Sequence, residues 1–222
     1  MHILPLSKYN LIFPDPSYAS DEGLLAYGGD LSVNRIMAGY SKGIFPWFNE
    51  DDPILWWSPN PRFILKIDDL HISKNLKKTI RKNIFEVKFN TNFRSVMENC
   101  AKVKRADQEG SWITNDMIEA YCELHASGFA HSFESYFEGE LVGGGYGVMI
   151  GDIFCGESMF SLKSDSSKIA FVSLVNRLKA NGFSLIDSQI HTPYLESFGA
   201  IHISRDKYLK LVKEALSKPR DF

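Results

Sequence analysis

Seven of the chain's nine prolines fall within its first 61 residues: Pro5, Pro14, Pro16, Pro46, Pro53, Pro59 and Pro61. Proline fixes φ and lacks the amide donor that a helix interior or a sheet ladder needs, so this stretch must be built from short elements and turns. Three of the four tryptophans, Trp47, Trp56 and Trp57, share it. One helix fits inside. Ser32 is placed to cap it, Val33, Ile36, Met37 and Tyr40 space an apolar stripe, and Gly43 can close it. The change of texture near Pro61-Arg62 divides the chain into a small N-terminal domain, 1–62, and a larger one, 63–222.

The second part reads as α+β. Strands are expected at 63–67 and 86–90, and helices from Ser73, at 92–101, and at 114–127, the last capped by Thr114 and closed at Gly128. Strands at 131–137, 141–149 and 152–160 follow one another, the first two joined by a turn at Glu138-Gly139-Glu140. A helix at 167–180 carries Ile169, Val172, Val175 and Leu178, and a strand at 184–190 and a helix from Asp206 complete the chain. A strand meander followed by helix and strand points to an α+β domain rather than a doubly wound sheet. Three cysteines, Cys100, Cys122 and Cys155, are odd in number and widely spaced, as expected of reduced cytoplasmic thiols. The N-terminus lacks a signal-peptide apolar region, and no apolar run is long enough to span a membrane. A net charge of −2 excludes a uniformly basic nucleic-acid binder and leaves only a local patch for that role.

Such a patch is present. Lys74, Lys77, Lys78, Arg81 and Lys82 stand at i, i+3, i+4, i+7 and i+8 of the helix expected over 73–83, with Leu76, Ile80 and Ile84 on another face to anchor it. Like charges so placed repel, so stability gives little reason to gather them. The face is either merely solvated or made for a phosphate backbone. Gly143, Gly144, Gly145 and Gly147 lack the Gly-Lys-Ser/Thr of a phosphate-binding loop and fit a bulged hairpin or a close approach of ligand or backbone. Asp187 and Gln189, two apart on an expected strand, would point to one side. Glu157 lies in the apolar segment of Phe154 and Met159 and so needs a partner. Cys122 and His125 sit one helical turn apart with no second ligand pair, so no metal is expected.

Several segments together resemble one bacterial family, the leucyl/phenylalanyl-tRNA–protein transferases. They are GLLAYGGDLS (23–32), GIFPWF (43–48), PILWWSPNPR (53–62), GSWIT (110–114), AHSFE (130–134), LVGGGYGV (141–148), FCGESMFS (154–161), SKIA (167–170) and LIDSQ (185–189). The resemblance implies a C-terminal domain of the GCN5-related acyltransferase (GNAT) type. It also implies a reaction: Leu or Phe, less readily Met, passes from aminoacyl-tRNA to a protein beginning with Arg or Lys, which is thereby marked for N-end rule degradation. By similarity, Trp47 and Trp112 hold the terminal adenosine and aminoacyl group, and Phe154, Met159 and Ile186 surround the donor side chain. Glu157, Asp187 and Gln189 take the polar catalytic positions, and the basic helix faces the tRNA. No cofactor is implied, and the enzyme is expected to be a cytoplasmic monomer.

The substrate ester is already activated. An α-amine of pKa ~8 is roughly a tenth neutral at pH 7, so no strong base is needed. Gln189 would align the amine through its carbonyl oxygen, Asp187 would fix Gln189, and Glu157 would hold an amino group. Two residues depart from the family pattern: Ser188 replaces a common Cys, and Gly145 stands where a bulky apolar residue is usual. The glycine suggests a deeper pocket and a shift toward Phe over Leu. An acetyl-coenzyme A transferase on the same fold would need a Gln/Arg-x-x-Gly-x-Gly/Ala loop before a helix, and the sequence has none.

Overall fold

The computed structural model describes residues 3–103 and 112–222. Four short strands, β1 (Leu4–Leu6), β2 (Leu24–Gly28), β3 (Phe45–Pro46) and β4 (Leu55–Trp57), form a first sheet in the order β1-β2-β4-β3. Helix α1 (Val33–Tyr40) lies between β2 and β3, and the Ser32 side chain accepts from the amide of Arg35 as its cap. Gly43, at φ +70°, turns the chain out of α1. The proline-rich stretch is thus short strands and turns as expected, although strands of two to five residues gave no periodic pattern to find.

The second sheet has seven strands: β5 (Arg62–Lys66), β6 (Glu86–Phe89), β7 (Ala130–Phe137), β8 (Glu140–Ile150), β9 (Ile153–Ser161), β10 (Leu185–Asp187) and β11 (Ile201–Ile203). Their order is β11-β5-β10-β9-β8-β7-β6. Strands β6 to β9 form an antiparallel meander. Its β7–β8 turn uses Glu138 and Gly139, both at positive φ, which suits the strands' right-handed twist. Helices α2 (Lys74–Arg81), α3 (Phe93–Lys102) and α4 (Asn115–Ala126) come before or within the meander. Helix α5 (Ser166–Ala180) then crosses over to bring β10 parallel to β9, and α6 (Pro193–Glu196) and α7 (Arg205–Ala215) flank β11. The α+β reading holds.

The sheet is covered on both faces. The stripe Ile169, Val172, Val175 and Leu178 of α5 packs with Phe63, Phe133, Phe154 and Ile186 on one face. On the other, Tyr146, Val148 and Ile153 join residues of α3, α4 and α7 and, in the same cluster, Trp56 and Tyr40 of the first sheet and its helix. This continuous apolar contact fixes the proline-rich segment over one edge of the cavity described below.

One strand departs from expectation in a way that matters. The run 184–190 keeps strand geometry only through Asp187, and Gln189 adopts a left-handed φ of +60°. The Ser188 hydroxyl donates to the carbonyl of Phe63 at 3.0 Å, drawing the chain toward β5 just where β9 and β10 cease to pair.

Candidate active site

Parallel pairing of β9 and β10 stops at Cys155 and Asp187. Past that point the two chains separate around a cavity of about 810 Å³. Glu157 and Met159 line it from β9, Gln189 from the segment after β10, and Phe171 and Leu174 from α5. Trp47 enters from the first sheet, and Trp112 closes the same space. Of the residues expected to bind substrate, Trp47, Trp112, Phe154, Met159 and Ile186 all line this one cavity.

At its vertex lies a chain of polar contacts. Arg62, the first residue of β5, grips Asp187 in a two-pronged ion pair, Nε to Oδ1 at 2.8 Å and Nη2 to Oδ2 at 2.6 Å. The Tyr208 hydroxyl donates to Oδ2 at 2.8 Å, and the Gln189 amide donates to Oδ1 at 3.0 Å. Arg62 and Asp187 are 1% and 0% exposed, so the charges survive burial only because each has the other and several hydrogen bonds besides. Arg62 also donates to the carbonyl of Gly43, which ties the turn after α1 to the vertex.

The idea that Asp187 and Gln189 face the substrate side by side is therefore corrected. Asp187 does not line the cavity and has its oxygens fully engaged. It acts on Gln189 through the backbone amide, and the left-handed turn at Gln189 sends the side chain across to Glu157, whose Oε1 accepts from Nε2 at 3.0 Å. With its NH2 group turned to Glu157, the amide of Gln189 has its carbonyl end left for an incoming N–H.

Glu157 opens on the cavity and is half-buried there. Burial pushes its carboxyl up to about 8; the negative charge of Asp187 pushes the same way, while Arg62 and hydrogen bonds from Tyr40 and Gln189 oppose it. The hydroxyls of Tyr40 and Tyr121 lie 2.7 Å apart beside it. The shift favours the neutral acid, and an ammonium brought next to the group would favour the carboxylate.

Gly145 does not line the cavity. A Cβ there would stand 2.5 Å from Met159 Cγ and from the Ser158 carbonyl oxygen, and 2.6 Å from Phe133 Cζ. The glycine therefore leaves no hole, and the expected deeper pocket is corrected: the space is already filled. At Gly143 the neighbour is Ser166 with the first turn of α5, so the glycine run admits this chain's own backbone and side chains.

Lys74, Lys77, Lys78, Arg81 and Lys82 are all exposed, on or at the end of α2, with Leu76 buried beneath. Ile84, expected as a further anchor, is instead 45% exposed because the helix ends at Arg81. Thr79 of α2 hydrogen-bonds Asp165, a residue lining the cavity, so the basic helix flanks its rim. Gly110 and Ser111 of the GSWIT segment lie outside the described residues. Sequence reasoning missed Arg62, Tyr208, Tyr40 and Phe133; only Arg62 left a trace, as a cation heading the apolar run of β5.

A family model described as leucyl/phenylalanyl-tRNA protein transferase matches residues 64–213, and a model of that family's N-terminal domain matches residues 29–60. The chain is 51% identical to the leucyl/phenylalanyl-tRNA–protein transferase of Sulfurimonas denitrificans, over 92% of this chain and 89% of that protein. It is 50% identical to those of Flavobacterium johnsoniae (92% and 96% covered) and Flavobacterium psychrophilum (96% and 100%).

Proposed function

Since the chain belongs to the leucyl/phenylalanyl-tRNA–protein transferase family, we propose that it moves Leu or Phe, and less readily Met, from aminoacyl-tRNA to the N-terminal Arg or Lys of a protein. The observation that carries this reading is the Glu157–Gln189 pair at the head of an apolar cavity that Trp47 and Trp112 also line. The acceptor's α-amine attacks the ester carbon. A C–N bond forms, the bond from that carbon to the ribose oxygen breaks, and the proton lost by nitrogen ends on that oxygen. Gln189 accepts a hydrogen bond from the amine and aims its lone pair; Asp187, held by Arg62, fixes Gln189 from behind. Glu157 takes an amino group as a carboxylate. Such alignment can contribute ~7–11 kcal/mol through effective concentration.

The two tryptophans offer faces on which the terminal adenine can stack, worth ~1–3 kcal/mol. Phe154, Met159 and Ile186 receive the donor side chain. Lys74, Lys77, Lys78, Arg81 and Lys82 meet the tRNA backbone from beside the rim. The same reading makes residues 1–62 a small domain that helps close the site and 63–222 a GNAT-like acyl-transfer domain, acting in the cytoplasm as a monomer and without a cofactor. Among the described residues no helix is long and apolar enough to cross a membrane. The modified proteins would then be marked for N-end rule degradation.

The test is incubation with radiolabelled Phe-tRNA and a protein starting with Arg, with neither metal nor coenzyme A added. Label should reach that protein and not one starting with Ala. Gln189→Ala should lower kcat by ~100-fold, the usual cost of lost alignment, with tRNA affinity little changed. Absence of transfer by the unaltered chain overturns the reading, and an undiminished kcat in the variant removes Gln189 from its role.

A further inference from the structure

In the registered pairing of β7, β8 and β9, Phe133 stands opposite Gly145, and Gly145 stands opposite Met159. The three positions form one row across the sheet, on the face that carries α5. Its middle position has no side chain, and the residues on either side lean over it. Phe133 Cζ comes within 2.6 Å, and Met159 Cγ within 2.5 Å, of the point where a Cβ on Gly145 would sit.

This has a consequence for reach. Phe133 belongs to β7, two strands from the β9 edge that bears Glu157. An ordinary residue at 145 would stand between its ring and the cavity. Because 145 is bare, the ring crosses β8 and lines the cavity while remaining 2% exposed. Phe133 thus supplies the wall that Gly145 cannot, and it is a rigid aromatic where Met159 is flexible.

Resting on the donor-side reading above, we propose that Phe133 is a specificity-determining residue for the transferred amino acid: its ring, spread over Gly145, forms the floor of the donor slot and sets its depth. The slot admits side chains that end at this ring. Shortening residue 133 lowers the floor, so larger donors gain room and smaller ones lose contact. Gly145 is the enabling position and is itself fixed, because the Ser158 carbonyl oxygen lies only 2.5 Å from any added Cβ.

The test compares kcat/KM for Leu-tRNA, Phe-tRNA and an oversized donor, Trp-tRNA, in the unaltered chain, Phe133→Leu and Phe133→Ala. A change of this size in an apolar slot shifts discrimination by ~10-fold or more, so the Trp:Leu ratio should rise by that factor in Phe133→Ala and less in Phe133→Leu. Because Phe133 is also buried in the core, thermal melts accompany the kinetics, and Phe133→Leu, which removes less volume, carries the comparison where Phe133→Ala does not fold. Unchanged donor ratios in a folded variant overturn the proposal while leaving the transferase reading intact. An unaltered chain that transfers neither Leu nor Phe overturns the transferase reading and this inference with it.

Discussion

On α2, Lys74, Lys77, Lys78, Arg81 and Lys82 stand in solvent, and among the described residues no carboxylate comes within ion-pairing distance of any of them. At the head of β5 a single cation, Arg62, is instead sealed from water and held by both oxygens of Asp187. The first arrangement adds nothing to folding and leaves its charge available to a partner. The second exhausts its charge internally, and what it delivers is position: the backbone amide of Gln189 hangs from the same carboxylate. The function proposed above would thus give exposed charge to recognition and buried charge to alignment.

Removing one partner of the buried pair is the strongest way to challenge that contrast. Arg62→Met leaves Asp187 as an uncompensated buried charge and should cost ~3–5 kcal/mol of stability in urea unfolding, with transfer lost as Gln189 is released. Lys77→Ala, by comparison, should stay within about 0.5 kcal/mol. If the two variants unfolded alike, the pair at the vertex would not be holding the fold together.

The next test sharpens the other side. Lys77→Ala, Lys78→Ala and Arg81→Ala combined should weaken tRNA binding and lower the slope of log affinity against log salt by roughly three, about one for each lost phosphate contact. Urea stability should be unchanged. A salt slope equal to that of the unaltered chain would make α2 a solvated face and no more.

The two regions also differ in how far the sequence discloses them. The α2 face follows from spacing within a dozen residues, as do the caps at Ser32 and Thr114, the helix start at Ser73 and the turn at Glu138 and Gly139. Local signals suffice because each element is decided by its own neighbours. The Arg62–Asp187 pair joins positions 125 residues apart, and Tyr40 meets Tyr121 across 81. No local pattern encodes such meetings. Alternation and burial single out Asp187, Gln189 and Glu157 but neither Arg62 nor Tyr208, and alternation gives Asp187 the wrong orientation. Its strand ends at Asp187, three residues short of the expected 190, where Ser188 bonds to Phe63 on β5. Phe133 escaped notice for a related reason: its importance depends on what is missing at Gly145, which only the strand register reveals.

The gentlest test concerns Glu157, which lies between the two extremes, half-buried but facing the cavity. Its carboxyl is raised from 4.5 to about 8 in the folded chain. Between those values the folded state holds a proton that the unfolded state has given up. Stability therefore falls as pH rises through this window and levels off above it, by at most about 1.4 kcal/mol per pH unit. Contact with the cavity should make the slope shallower than that limit. Glu157→Gln keeps a carbonyl to receive Gln189 but has no proton to lose. The stability of the unaltered chain relative to this variant should thus decline from pH 5 to pH 8 in urea unfolding, whereas Lys77→Ala should show no such trend. Adding an aminoacyl-adenosine analogue should flatten the decline, since its ammonium favours the carboxylate and brings the folded value back toward that of the unfolded chain. A difference already flat without the analogue would mean that Glu157 is ionised in the free enzyme, and the contrast between hidden and exposed charge would then end at Asp187.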